Sequence, residues 1–393
     1  MPSAPDPSLP GLLAELSNLE PGLRDRLARC GLRPSRLHEL ATTLVATPGE
    51  SAEARRDRRN RLTEDVRGPA PGEILEMPAR GSAEADRFRA IGEEAMKRGE
   101  LAFAVLAGGM ATRMGGVVKA LVEVFPGQTF LDLRLAENRA ASALAGRPVP
   151  LWLMTSDPTQ EPTEEALRAR GAAPHIRTFP QDVGLRLTET GSLFRDANGR
   201  PSLYSTGHGD LVDAVRRAGL LRELLGAGGK YVWIANLDNL GATIDPVILG
   251  LFVASQRDLL VEVCDKVKGD RGGIPVHAGG YLQVLEEFRL PKAFDASTVG
   301  VFNTNTFLIR AEALDTVDVA WSWCEVEKGA DGRPAIQFER LLQELTGALH
   351  AAYLRVPRDG EGARFLPVKD PDELARRRGE IELVARDRKM ITR

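Results

Sequence analysis

The sequence predicts an α/β fold, a mixed and mainly parallel sheet flanked by helices, preceded by a helical N-terminal region. Three observations predict it. Short, continuous apolar runs recur from Leu101 onward: LAFAVLA, WLMTS, YVWIANLD, LLVEVCDKV and VGVFNTNTFLI, each of strand length. Helical segments fall between several of them, at 163–170, 211–225 and 246–255. Buried strands alternating with helices imply a largely parallel sheet covered on both faces. Before residue 101 the pattern differs: Leu12, Leu13, Leu16 and Leu19, then Leu23 and Leu27, recur at helical spacing.

The elements follow in order. Residues 1–10, rich in Pro and Ser, read as a disordered tail. Residues 11–65 read as helical, with Pro21 opening the second helix and Gly31 closing the loop after it. Residues 55–67 are rich in arginine, but Asp57, Glu64 and Asp65 intersperse them, so a solvated helix face is expected rather than a nucleic-acid patch. Residues 66–83 carry the Pro and Gly of a linker, and a helix is expected at about 84–98. The division expected is 1–84 as helical region and linker, 85–375 as catalytic domain and 376–393 as a short C-terminal segment.

Composition excludes several classes. A net charge of -3 supplies no bulk field for nucleic acid or an anionic membrane, so a polyanionic substrate would need a local cluster of cations. Cys30, Cys264 and Cys324 are odd in number and form no CxxC pair, which argues against a disulfide framework or cysteine zinc site and fits a reducing cytoplasm. The N-terminus lacks the basic and apolar regions of a secretory signal, and no apolar run approaches the ~20 residues that span a bilayer.

Four places carry chemistry. In a parallel sheet, ligands bind beyond the carboxyl ends of the strands. LAFAVLA runs into Ala107-Gly108-Gly109-Met110-Ala111-Thr112-Arg113-Met114-Gly115-Gly116, a turn whose bare backbone amides can approach an anion. Neither G-x-G-x-x-G nor GxxxxGK[ST] can be read there, so a dinucleotide fingerprint and a Walker loop are both absent; a flexible surface loop is the competing reading. Lys119 follows as a point charge within reach of a phosphate. YVWIANLDN ends in Asn236, Asp238 and Asn239, where a carboxylate can hold magnesium shared with substrate phosphates, or simply make an Asx-turn. Gly207-His208-Gly209-Asp210 precedes a helix for which Asp210 is the expected N-cap, and His208 can donate to a phosphate or sugar oxygen. Arg364 to Lys369 reads as a strand ending in a lysine opposite Lys119; a surface lysine is the bland alternative. Trp321 and Trp323 read as core or a local apolar patch.

Taken in order, these segments resemble the UTP–glucose-1-phosphate uridylyltransferase family, within the UDP-sugar pyrophosphorylases. LAGGMATRMG with Lys119, then QTFLDLRLAEN, LWLMTSDPTQEPT, FPQ, STGHGDLVDAVRRAGLL, YVWIANLDNLGATIDP, FNTNTFLI and ARFLPVKDPDEL follow the family's order over roughly residues 85 to 375. The resemblance implies a Rossmann-like nucleotidyltransferase domain that joins UTP to glucose 1-phosphate with magnesium. It implies that Leu106, Ala107, Gly108 and Gly109 line the nucleotide, that Gln181 and Gly207 read the uracil, and that Asn236 borders the nucleotide. Asp238 would hold the metal, Lys119, Arg113 and Lys369 would meet the phosphates, and His208, Gly273, Glu286 and Asn303 would face the sugar phosphate. The sequence departs from the family at Ala111, which replaces a glycine, at Val117-Val118, which replaces Gly-Pro, and at Arg271, which replaces lysine. The stretch after Lys369 is too short for the C-terminal β-helix of eukaryotic members, so oligomers built through it are not expected. Rival readings are the same reaction with N-acetylglucosamine 1-phosphate and a non-catalytic UDP-sugar sensor.

Overall fold

The computed structural model describes residues 8–44, 50–111, 114–270, 272–330, 332–360 and 362–391, with the side chains of 8–10 left aside. Most of the tail expected at residues 1–10 therefore lies outside the described residues. The eight strands of the central sheet, numbered in chain order, are β1 (Ile74–Glu76), β2 (Leu101–Leu106), β3 (Leu151–Thr155), β4 (Ile176–Pro180), β5 (Tyr231–Asn236), β6 (Leu259–Asp265), β7 (Val301–Arg310) and β8 (Ala351–Arg355). Their order in space is β1-β8-β6-β7-β5-β2-β3-β4. All neighbours pair in parallel except at β7, which runs antiparallel to both β5 and β6. The start of β7 thus lies at the same edge as the carboxyl ends of the parallel strands. The mixed, mainly parallel sheet is the one the apolar runs predict.

Helices α1 (Ser8–Ser17), α2 (Pro21–Arg29), α3 (Pro34–Thr42) and α4 (Ala52–Asn60) form the N-terminal region, with Pro21 in the first turn of α2 as expected. Then come α5 (Ala83–Arg98), α6 (Phe130–Ala145), α7 (Asp157–Ala169), α8 (Leu211–Arg217), α9 (Leu220–Gly226), α10 (Pro246–Ser255), α11 (Ala311–Thr316) and α12 (Pro371–Asp387). Ser82 caps α5 and a Thr129–Asp132 capping box opens α6, so each begins where a side-chain oxygen takes an otherwise unbonded amide. Helices α5 and α10 touch backbone to backbone. A Cβ on Gly92 would lie 1.9 Å from the carbonyl oxygen of Pro246, and one on Gly250 1.8 Å from that of Phe88.

A large core surrounds the sheet. A second core joins Leu12, Leu16, Leu27, Leu37 and Leu40 of α1 to α3 with Val183, Leu185, Leu187, Leu193, Ile336 and Phe338. The N-terminal helices are therefore seated on the same segment that follows Gln181.

Several local expectations need correction. The arginine-rich stretch is not a solvated face: α4 stops at Asn60, and Arg55 is buried in an ion pair with Glu325. Arg59 donates to the Trp323 carbonyl, and Arg56 pairs with Glu327. Residues 66–83 contain β1, an edge strand that pairs with β8. The helix expected at 211–225 is broken at Gly219 into α8 and α9. Residues 364–369 form no strand, because Pro367 lacks an amide for a ladder; Asn239 and Pro367 make one isolated bridge.

Candidate active site

The Gly loop begins where β2 ends. The Ala107 amide still donates to the Met154 carbonyl of β3 (2.8 Å), and the loop then departs. The Ser156 hydroxyl donates to the Gly108 carbonyl at 2.7 Å. A Cβ on Gly108 would sit 3.1 Å from Nε2 of Gln181, so a glycine here is what lets Gln181, at the end of β4, close over the loop. The chain next forms a small hairpin in which Met110 pairs with Val118 and Ala111 with Val117. Ala111 is buried in it, which gives the two departures from the family pattern a common setting. The hairpin returns Lys119 to the loop, its amide donating to the Gly109 carbonyl at 3.1 Å. The Lys119 ammonium is ion-paired with Oδ2 of Asp238, both groups being mostly buried. Arg113 and Arg271 lie outside the described residues.

The end of β5 is pinned from beneath by Arg134, a fully buried residue that composition gave no reason to notice. Its guanidinium donates to the carbonyls of Asn236 (2.8 Å), Asn239 (2.7 Å) and Ala242 (3.1 Å), and it pairs with Glu137. Asn239 is structural: its amide donates to the Arg364 carbonyl and its oxygen accepts from the Leu366 amide. The Val368 amide donates to the Asp238 carbonyl at 3.1 Å, which sets the backbone just before exposed Lys369 beside that of Asp238. Arg364 is locked by Glu262, both side chains being fully buried.

The opposite wall comes from β7. Its register with β6 shifts between Glu262 and Val263, a bulge that re-aims the Asn303–Asn305 segment. Asn305, at φ +59°, donates through Nδ2 to Oδ1 of Asn236 (2.8 Å), and its amide donates to Oδ1 of Asn303 (2.9 Å). The Asn303 amide donates to the Gly273 carbonyl at 2.8 Å. A Cβ on Gly273 would meet Val284 at 2.5 Å and Oε1 of Glu286 at 3.3 Å. Glu286 accepts from Nε2 of Gln343 at 2.5 Å, and the neighbouring Leu342 amide donates to Nδ1 of His208 at 2.9 Å. One chain of contacts thus runs from Asn236 through Asn303, Gly273 and Glu286 to His208. Asn305, Gln343 and Arg134 were missed by sequence reasoning; only the alternation in FNTNTF hinted at Asn305.

Electrostatics give His208 a defined role. Burial holds its pKa at about 4. The ring is therefore neutral near pH 7, and because Nδ1 accepts a hydrogen bond, the proton resides on Nε2, which is left as a donor. Burial, aided by Glu287, raises the pKa of Glu286. Asp210 does not cap α8 with its side chain; it accepts from Arg340 and from Thr206 instead. Burial pushes it to about 7, with the Asp182 charge acting the same way and Arg340 opposing. Trp321 and Trp323 pack against the two cores, as expected, and also flank the Arg340 guanidinium.

The chain carrying this arrangement has relatives among known proteins. Residues 76–385 match the protein family described as UTP–glucose-1-phosphate uridylyltransferase. The chain belongs to that family. A Musa acuminata uridylyltransferase of this name is 32% identical over 296 residues, covering 70% of this chain and 62% of the relative. One from Encephalitozoon cuniculi is 31% identical, covering 70% and 57%. The chain spans about three fifths of the length of such curated relatives. Among solved structures, a Trypanosoma brucei UDP-glucose phosphorylase aligns with a TM-score of 0.72 at 22% identity, covering 95% of this chain and 79% of that one. A Trypanosoma brucei uridine diphosphate N-acetylglucosamine pyrophosphorylase aligns equally well, at 0.72 and 20% identity, covering 94% and 81%. These two likenesses show a shared fold over nearly the whole of this chain. No helix among the described residues is long and apolar enough to cross a membrane.

Proposed function

We propose that the chain transfers the uridylyl group of UTP to glucose 1-phosphate, giving UDP-glucose and pyrophosphate. The observation that carries the reading is the Lys119–Asp238 ion pair beside a Gly loop that Gln181 flanks, with the backbone just before Lys369 bonded to that of Asp238, in a chain of this family. The nucleophile, a phosphate oxygen of the sugar 1-phosphate, is already an anion at neutral pH, so no general base is required. It attacks the α-phosphorus of UTP as the bond to the pyrophosphate oxygen breaks. The protein must bring two polyanions together. Lys119 and Lys369 offset their repulsion, and the amides of the Gly loop orient the nucleotide. His208, neutral, offers its Nε2–H to the sugar phosphate.

The donor set suits magnesium. Asp238 supplies one carboxylate at a strand end, and among the described residues no group of three His, Cys, Asp or Glu side chains could hold a metal by itself. Substrate phosphates would complete such a site, as magnesium commonly requires. When bound, the ion would neutralise phosphate charge.

The test is pyrophosphate release from UTP and magnesium with glucose 1-phosphate or with N-acetylglucosamine 1-phosphate, run beside Lys369→Ala. Release with glucose 1-phosphate that falls about 100-fold in the variant supports the reading. Release with the amino sugar alone would change the substrate and keep the mechanism. Release with neither would refute it.

A further inference from the structure

We propose that Arg340 is a positioning residue for the nucleotide, its guanidinium fixing the uracil-facing segment at Gln181–Asp182 to the Gly207–Asp210 turn. The inference rests on the reading of this cleft as a UTP and UDP-sugar site. Arg340 lies in neither segment. It follows the strand Arg333–Glu339, and its side chain is 3% exposed. Nη2 donates at 2.7 Å to both Asp182 and Asp210, Nε to Asp210 at 3.0 Å, and Nη1 to Asp213 at 2.5 Å. One side chain therefore ties the residue after Gln181 to the residue two after His208.

The backbone of Arg340 makes the same connection. Its amide donates to the Thr206 carbonyl (2.8 Å) and its carbonyl accepts from the Gly209 amide (3.1 Å), so the two peptide groups bracket Gly207 and His208. Gly207 is at φ +101°, and a Cβ there would lie 2.4 Å from the Arg340 carbonyl oxygen. The turn is thus moulded on this residue. Ring centroids of Trp321 and Trp323, 5.3 and 4.9 Å from the guanidinium carbon, hold it between them.

Substitution of the side chain leaves the backbone pair intact and isolates what the fork of donors contributes. A lysine keeps the charge but cannot bridge two carboxylates in fixed planar geometry. Asp182 would lose its side-chain link to Asp210, while the Arg217 pair, the Thr206 amide on the Asp182 carbonyl and the ladder of Val183–Leu185 with Leu203–Ser205 remain, so Gln181 would be held less firmly relative to Gly207. The proposed phosphate-facing groups Lys119, Asp238 and Lys369 lie on other segments and would stay in place.

The experiment compares wild type, Arg340→Lys and Asp182→Asn by calorimetric titration with UDP-glucose, by kcat and KM for UTP, and by thermal unfolding. The expected result is a UDP-glucose Kd and a UTP KM raised about 10- to 100-fold in folded protein, with kcat reduced far less. A merely structural role would lower Tm and leave the Kd of the folded protein unchanged, which overturns the proposal. Should Arg340→Lys fail to fold, Asp182→Asn carries a related test, since it removes the charge that Arg340 and Arg217 share while keeping the side chain's size. Wild type that binds UDP-glucose while both variants bind within about twofold of it refutes the role of Arg340 alone. Wild type that binds neither UTP nor UDP-glucose refutes the reading of the cleft, and this proposal with it.

Discussion

Lys119 occupies the carboxylate that the proposed metal would need, so replacing it should unmask that carboxylate. The ammonium is paired with Asp238, and the two side chains are 14% and 21% exposed. Opposite charges 4 Å apart attract by about 4 kcal/mol at an effective dielectric constant of about 20, and desolvation and ordering consume most of that. Exposed pairs yield about 0–1 kcal/mol, so this partly shielded pair is worth about 1–2 kcal/mol, a factor of about 5–30. In Lys119→Met the metal no longer competes with the ammonium. Manganese alone, titrated without nucleotide and followed by electron paramagnetic resonance, should bind the variant about 5–30-fold more tightly than wild type. Manganese with UTP should bind it more weakly, because a phosphate contact is lost. Asp238→Asn supplies the baseline and should remove the gain. Equal affinity of wild type and Lys119→Met for manganese alone would refute the competition.

Other outcomes follow from the packing and the charges. Gly250→Ala forces a methyl into the Phe88 carbonyl, so helices α5 and α10 must part; a loss of about 1–3 kcal/mol or more is expected in denaturant titration. Arg55→Ala leaves Glu325 buried and unpaired and should cost about 3–5 kcal/mol by the same measurement. Burial lowers the His208 pKa from 6.5 to about 4, so between those values the unfolded chain holds more protons than the folded one. Its contribution to stability therefore climbs as pH rises from about 4 to 6.5 and is level above. The change is at most about 3 kcal/mol, and His208→Gln should flatten that part of a Tm-against-pH curve.

Strands were legible because burial on both faces writes a continuous apolar run: β2, β3, β5, β6 and β7 all coincide with one. Asp238 stood out as a charge directly after such a run, and Lys119 as the cation just beyond a Gly-rich turn. What escaped were residues whose role is set by distant partners. Arg340 meets Asp182 and Asp210 from more than 100 positions away, and nothing in Phe338-Glu339-Arg340 announces it. Arg134 serves carbonyl groups, which no sequence pattern encodes. Arg55 looked solvated because charge patterning cannot see Glu325. The three residues of β1 are too short for an alternation to stand out among the prolines and glycines of 66–83.

The second core has a consequence for how the chain is made. Helices α1 to α3 leave the ribosome well before the surfaces that cover Leu12, Leu16, Leu27 and Leu37, which belong to residues 183–193 and 336–338. At about 5–20 residues per second, the last of these emerges roughly 15–60 s after the helices that need it. Over that interval a leucine-rich surface stays only partly covered on the nascent chain. The wall after Gln181 in the proposed nucleotide cleft is finished only when that earlier segment folds back onto residues 183–193 and 336–338.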